Sequence, residues 1–231
     1  MEVRIEVRVE VRMERGMSKI VTHAGCEGTI PNSWQYIEKA MESDCDVIEL
    51  DVRKYDGRLL LSHDCIQPER IIYNQSCEMD SRYVTFEEAA IRICQETDKL
   101  INCDLKEDIL MDVIDMARQI GIEDRLIFTG TTNIKVCDLP GYRQNRKQIF
   151  LNVEGNDCNL DVLEKTGARG INIEYNKVTK TLVNEVHKRD LELYVGTVDK
   201  EEQMEKMLDL GVDGITSNRI ERLMKTAKGM N

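Results

Sequence analysis

The feature that most constrains this chain is a rhythm. Short apolar runs recur at Lys19–Gly25, Val47–Arg53, Lys99–Lys106, Arg125–Gly130, Gln148–Gly155, Gly170–Asn176, Glu192–Asp199 and Gly214–Asn218. Helical patterns fill most of the gaps. One follows the N-cap candidate Ser33 and runs to Ser43, and Thr85-Phe-Glu-Glu88 reads as a capping box opening another. Others run from Glu107 to Ile120 before Gly121, from Thr179 to Arg189, and from Glu201 to Leu210 before Gly211. Strands alternating with helices build βαβ units on a parallel sheet. Eight such runs predict a (β/α)8 TIM barrel. A doubly wound open sheet is the competing topology, but nothing like G-x-G-x-x-G follows the first run.

Two stretches break the rhythm. Residues 54–84 exceed a βα loop and contain a further apolar run, Leu59-Leu60-Leu61-Ser62-His63, which predicts a small hairpin insertion after strand two. Around Lys135–Lys147 the helical pattern is interrupted by Pro140-Gly141. Residues 2–12 alternate Glu and Arg with apolar residues at period two. They read either as an amphipathic edge strand or as an over-extended start before Met13 or Met17. The chain therefore divides into an N-terminal extension, 1–18, and a barrel domain, 19–231.

Composition narrows the function classes. With 231 residues, 41% apolar and 32% charged, the chain has an ordinary globular balance. No run approaches the ~20 apolar residues of a membrane span. A net charge of −11 opposes binding to a nucleic-acid backbone, and no basic cluster with interleaved aromatics offsets it. There is no apolar surface helix, basic patch or lipidation signal, so stable membrane association is not expected either. The eight cysteines form no C-x-x-C, and the N-terminus has no apolar signal region. A cytoplasmic protein with reduced thiols is expected, its partner a small molecule. Its oligomeric state is left open.

In a parallel barrel, residues i and i+2 of a strand share a face, and the C-terminal strand ends build the active site. In Val47–Arg53, Ile48, Leu50 and Val52 then face the helices, and Glu49 and Asp51 face the mouth. In the third run Ile101, Cys103 and Leu105 face out, while Asn102, Asp104 and Lys106 face in. Three carboxylates converging on one mouth repel each other unless a cation is present. All-oxygen ligation suits one hard divalent ion, Mg²⁺ or Ca²⁺. The alternative is an internal salt-bridge network in which Lys106 and Arg53 neutralise the acids. Of the three histidines, His187 lies in a helix beside Lys188 and Arg189 and reads as a solvated surface residue. His23 and His63 flank the acidic cluster and read as a general acid and base. Further inward candidates are Glu154, Asn172 and Glu174, for substrate hydroxyls or for rim salt bridges with Lys147 or Lys177.

The ordered set His23-Ala-Gly25, Pro31-Asn-Ser33, Glu49-Leu-Asp51, Asp56-Gly57, His63-Asp64 and Asp104-Leu-Lys106 resembles the glycerophosphodiester phosphodiesterase family. Tyr194-Val-Gly-Thr-Val198 and Gly211-Val-Asp-Gly-Ile-Thr216 resemble its last two strands, so the likeness runs from Lys19 to Asn218. The resemblance implies a divalent cation held by Glu49, Asp51 and Asp104, His23 and His63 as acid/base pair, and Lys106 near the phosphate. It also implies attack by a glycerol hydroxyl, departure of the alcohol, and opening of a cyclic phosphate by water. The chain resembles a divergent branch. The family's usual His-Arg-Gly is His23-Ala24-Gly25, its Pro-Glu-Asn is Pro31-Asn32-Ser33, its third acid is Asp104 rather than Glu, and its Trp-Thr is Gly196-Thr197. The missing guanidinium makes Arg53, Lys54 and Arg70 candidates for phosphate contact. Two alternatives remain at this point: a catalytically lapsed barrel that binds a phosphorylated ligand, and a phospholipase or sphingomyelinase D-like lipid phosphodiesterase.

Overall fold

The computed structural model describes residues 17–68, 83–130, 136–138, 140–153 and 159–229. The strand expected over 2–12, and the candidates Arg70 and Glu154, lie outside the described residues. All eight predicted runs form parallel strands: β1 (Lys19–Thr22), β2 (Val47–Tyr55), β4 (Leu100–Leu105), β5 (Leu126–Gly130), β6 (Phe150–Val153), β7 (Gly170–Glu174), β8 (Glu192–Gly196) and β9 (Gly214–Ser217). Their order is β5-β4-β2-β1-β9-β8-β7-β6. A parallel bridge between Phe128 and Ile149 joins the two ends, closing the (β/α)8 barrel.

The predicted insertion is present as β3 (Arg58–Leu61), which pairs antiparallel with the extended end of β2 through the turn at Asp56-Gly57. The outer ring is α1 (Trp34–Glu42), α2 (Phe86–Glu96), α3 (Leu110–Ile120), α4 (Tyr142–Asn145), α5 (Leu160–Thr166), α6 (Lys180–Lys188), α7 (Glu201–Leu210) and α8 (Ile220–Gly229). Ser33 caps α1 by accepting from the Tyr36 N–H, and Thr85 and Glu88 form the reciprocal capping box on α2. Two helices differ from expectation. α3 begins at Leu110 rather than Glu107, because Glu107 closes a turn with the Ile109 N–H and pairs with Arg53. After β5 the interrupted pattern gives only single turns around the four-residue α4, as Pro140-Gly141 foretells.

Alternation along the strands sorts three layers. Ile48, Leu50 and Val52 of β2 pack with Ile101, Cys103 and Leu105 of β4 against α1, α2 and α3. On the other flank Ile171, Leu193, Val195 and Ile215 pack beneath α6, α7 and α8. Inside the barrel Val21, Val47, Ile127, Phe150 and Tyr194 form one apolar layer. Gly214 makes room for it: a Cβ there would lie 2.8 Å from the Tyr194 ring. The polar site stands above this layer.

A buried ring of hydrogen bonds ties β1, α1 and β2 together directly under that site. The Tyr36 hydroxyl donates to the Glu49 carbonyl (2.6 Å), the Glu49 N–H donates to Thr22 Oγ1 (3.1 Å), and the Thr22 hydroxyl donates to Tyr36 Oη (2.6 Å). Removing one member strands the others away from water. Tyr36→Phe is therefore expected to cost about 1–3 kcal/mol in urea titrations at unchanged m-value. A loss under about 0.5 kcal/mol would show the ring to be dispensable.

Candidate active site

Register explains why the acids meet. β2 and β4 pair with Glu49 beside Asn102 and Asp51 beside Asp104, so both acidic strands point the same positions into the mouth. Glu49, Asp51 and Asp104 each bring one carboxylate oxygen within 4.8 Å of the others. Glu49 and Asp51 are 5% and 4% exposed. Each is held by a group from the loop after β1: the Ala24 N–H donates to Glu49 Oε2 (2.7 Å), and Asn32 Nδ2 donates to Asp51 Oδ2 (2.7 Å). Asn32 takes the return bond as well, its Oδ1 accepting from the Asp51 N–H at 3.1 Å. It does so at φ +58°, a left-handed conformation that Asn tolerates better than most residues. Gly25, at φ +93°, sets the same loop, and a Cβ there would come within 2.9 Å of the Pro31 ring.

Lys106 lies among the acids with its side chain 5% exposed, its Nζ 2.7 Å from Asp51 Oδ1 and 2.6 Å from Asp104 Oδ2. Burial works against its charge, but Asp104 and Asp51 outweigh burial and raise its pKa. Burial, then the charges of Asp51 and Asp104, holds the Glu49 carboxyl well above the usual carboxylate range. Burial also raises Asp104, against the pull of Lys106. One lysine thus leaves the trio short of positive charge. Asp104 Oδ1 is buried with no hydrogen-bond partner among the described residues. An orphaned carboxylate oxygen within an all-oxygen set fits a hard divalent cation.

His23, at the end of β1, shares the cavity with Glu49 and Asp104. Its Nδ1 lies 2.9 Å from Asn218 Oδ1. Asn218 is itself fixed, its Nδ2 donating to Asp199 Oδ2 (2.9 Å) and its backbone N–H to Asp199 Oδ1 (2.8 Å). Ser217 Oγ also donates to Asp199 Oδ1, at 3.1 Å. With the amide so oriented, Nδ1 is the protonated ring nitrogen, and Nε2 is the one that can take a proton.

His63 follows β3 at the rim, with its side chain 68% exposed and Nδ1 2.9 Å from Asp64 Oδ1. It is not among the residues that line the cavity. Arg53 turns away from the acids. Its Nε and Nη2 donate to the His63 carbonyl (3.1 and 2.9 Å), and Nη1 pairs with Glu107. Of the two cations in the alternative salt-bridge network, Lys106 alone touches the trio. Lys54 pairs with Asp112. Asn172 lines the cavity and donates to Asn152 Oδ1 at 3.0 Å. Glu174 takes the rim salt bridge, to Lys177 at 3.1 Å. His187 corrects the surface reading: its side chain is 21% exposed, with Nε2 2.8 Å from Asp213 Oδ2, because α6 packs against β8 and Asp213 is bonded there to the Leu193 N–H. The sequence reading missed Asn32, Asp199 and Asn218. Asn32 had a signal in Pro31-Asn-Ser33, whereas Asn218 reaches His23, and Asp199 reaches Asn218, only through the fold.

A closed barrel with acids, a lysine and a histidine at the C-terminal ends of its strands defines a (β/α)8-barrel enzyme. The sequence model of the glycerophosphoryl diester phosphodiesterase family matches residues 88–222, which include Asp104 and Lys106, and the chain belongs to that family. A glycerophosphodiester phosphodiesterase of Bacillus altitudinis is 28% identical, over 93% of this chain and all of that relative. Among solved structures, a glycerophosphodiester phosphodiesterase of Parabacteroides distasonis superposes with a TM-score of 0.76 at 21% identity, covering 93% of this chain and 98% of its own. A phosphodiesterase of Oleispira antarctica, solved in complex with the product sn-glycerol-3-phosphate, gives 0.73 at 15% identity, over 92% and 97%. Among the described residues no helix is long and apolar enough to cross a membrane.

Proposed function

We propose that this chain is a divalent-cation-dependent phosphodiesterase that hydrolyses small glycerophosphodiesters to sn-glycerol 3-phosphate and an alcohol. The observation that carries this reading is the convergence of Glu49, Asp51 and Asp104 within 4.8 Å, with Glu49 and Asp104 lining a cavity shared with His23. The names of the relatives, and the product bound to the Oleispira neighbour, support the substrate class.

Glu49, Asp51 and Asp104 would hold the cation. When bound, such an ion neutralises charge on phosphoryl oxygens and lowers the pKa of a nearby hydroxyl. The Lys106 ammonium, buried beside Asp51 and Asp104, supplies a second positive charge within reach of a phosphoryl oxygen. His23 Nε2 accepts the proton of the attacking glycerol hydroxyl while Nδ1 keeps its bond to Asn218. A protonated His63 gives its proton to the departing alcohol. The roles reverse when water opens the cyclic phosphate, so each imidazole ends the cycle as it began.

The test is a screen of small phosphodiesters with purified protein in Mg²⁺ or Ca²⁺. Release of sn-glycerol 3-phosphate, stopped by chelator and restored by the cation, is the expected result. Cation binding without turnover of any diester would instead identify a lapsed barrel.

A further inference from the structure

The cavity, about 510 Å³, has two unlike halves. One carries His23, Glu49 and Asp104. Beginning beside Glu49 and continuing around the barrel, β4, β5, β6 and β7 contribute Asn102, Thr129, Asn152 and Asn172, a row of uncharged amides and one hydroxyl. They pair among themselves: Thr129 Oγ1 donates to Asn102 Oδ1 at 3.3 Å, and Asn172 Nδ2 to Asn152 Oδ1 at 3.0 Å. These bonds use part of their capacity, because each Asn side chain offers two N–H donors and a carbonyl with two lone pairs. Asn102 and Asn152 keep their amide NH₂ groups, and Asn172 keeps its carbonyl. Directly below lies the apolar layer of Phe150, Ile127 and Tyr194. Burying such groups is costly unless they are hydrogen-bonded, and with an apolar floor beneath, the cavity is where their remaining partners must come from.

The same half lacks what a cationic head group needs. Quaternary ammonium ions are held by aromatic faces. Apart from His23, Tyr194 is the only aromatic residue among the described residues lining the cavity, and its ring packs tilted against Phe150, with centroids 4.2 Å apart. The rim carboxylate of Glu174 is taken by Lys177, whose own charge repels a cation.

Building on the phosphodiesterase reading above, we propose that this amide-lined half is a subsite for a polyol leaving group. The preferred substrates are glycerophosphodiesters whose second alcohol is glycerol, inositol or a sugar, rather than choline or ethanolamine. Each hydroxyl both donates and accepts, matching the free NH₂ groups of Asn102 and Asn152 and the free carbonyl of Asn172.

The experiment compares kcat/KM for glycerophosphoglycerol and glycerophosphoinositol with that for glycerophosphocholine and glycerophosphoethanolamine, in the same cation. A site built to hydrogen-bond hydroxyls rejects analogues that lack them. The polyol diesters are expected to be favoured by about tenfold or more, and Asn172→Leu or Asn152→Leu should shrink that ratio at least ~threefold. The wild-type ratio needs no variant, so a misfolded substitution does not blunt the test. A smaller wild-type ratio, a preference for choline, or a ratio that survives both substitutions in folded protein overturns the subsite while leaving the phosphodiesterase standing. Absence of turnover on all four diesters overturns the phosphodiesterase reading and the subsite with it.

Discussion

Asp104→Ala is expected to lower diester turnover by about three orders of magnitude and to abolish the thermal stabilisation that Mg²⁺ or Ca²⁺ gives the wild type. A cation clamp contributes several kcal/mol at the transition state, and each 1.36 kcal/mol is a factor of ten. Asp104 is the informative member because its Oδ1 has no other partner among the described residues, whereas Glu49 and Asp51 also anchor the loop after β1. The pH dependence of cation-free protein should carry the same signature. Burial and the neighbouring acids raise the Glu49 pKa in the folded state, so the folded chain holds that proton more tightly than the unfolded chain does. Stability from this group is complete below the unfolded carboxyl pKa and is lost as pH rises through the raised folded value. A cation that binds the ionised trio restores it, so the difference in Tm with and without chelator should widen as pH rises above the ordinary carboxyl range. Glu49→Gln, which keeps the side-chain shape without the charge, should flatten the slope. Asp104→Ala protein that still responds fully to cation in a thermal melt would rule the trio out as the ligand set.

Much of this site could be read before any fold was known, and the reason is periodicity. Glu49 and Asp51 are charged residues at alternate positions of an otherwise apolar run, so a strand buried on its other face must point them together. Asn102 and Asp104 repeat the pattern, and parallel register brings the two pairs side by side. His23 was legible as a rare residue at a strand end. What escaped notice depends on residues that meet only when the barrel closes. Asp199 ends the run of β8 and Asn218 follows β9, and neither position carries a pattern that distinguishes it from a loop residue. The direction of Arg53 was equally hidden, because β2 runs on past the mouth into the hairpin with β3 and carries the guanidinium to the His63 carbonyl. His187 misled for the opposite reason: charged neighbours in sequence suggested solvent, while Asp213 waited across the fold.

The second large effect concerns His23 and the pair behind it. His23→Ala should reduce kcat by at least ~10²-fold, the usual contribution of a positioned acid or base. Asp199→Asn separates a proton-handling role from mere scaffolding, since Asp199 touches Asn218 rather than the imidazole. In the wild type the Asp199 carboxylate can only accept, so it fixes the Asn218 NH₂ toward itself and the carbonyl toward His23 Nδ1. An amide at position 199 accepts either orientation of Asn218. Once that side chain turns over, its NH₂ faces Nδ1, and the ring must carry its proton on Nε2, where it cannot serve as base. The expected result is a fall in kcat of about ten- to a hundredfold with KM little changed, because the substrate contacts remain. Asn218→Leu, which removes the acceptor altogether, should give a loss of similar size, and combining either change with His23→Ala should add almost nothing, as for residues that act as one unit. If folded Asp199→Asn enzyme keeps the wild-type kcat while losing only thermal stability, the Asp199–Asn218 pair is a strut for the β8–β9 end of the barrel and His23 is oriented by other means.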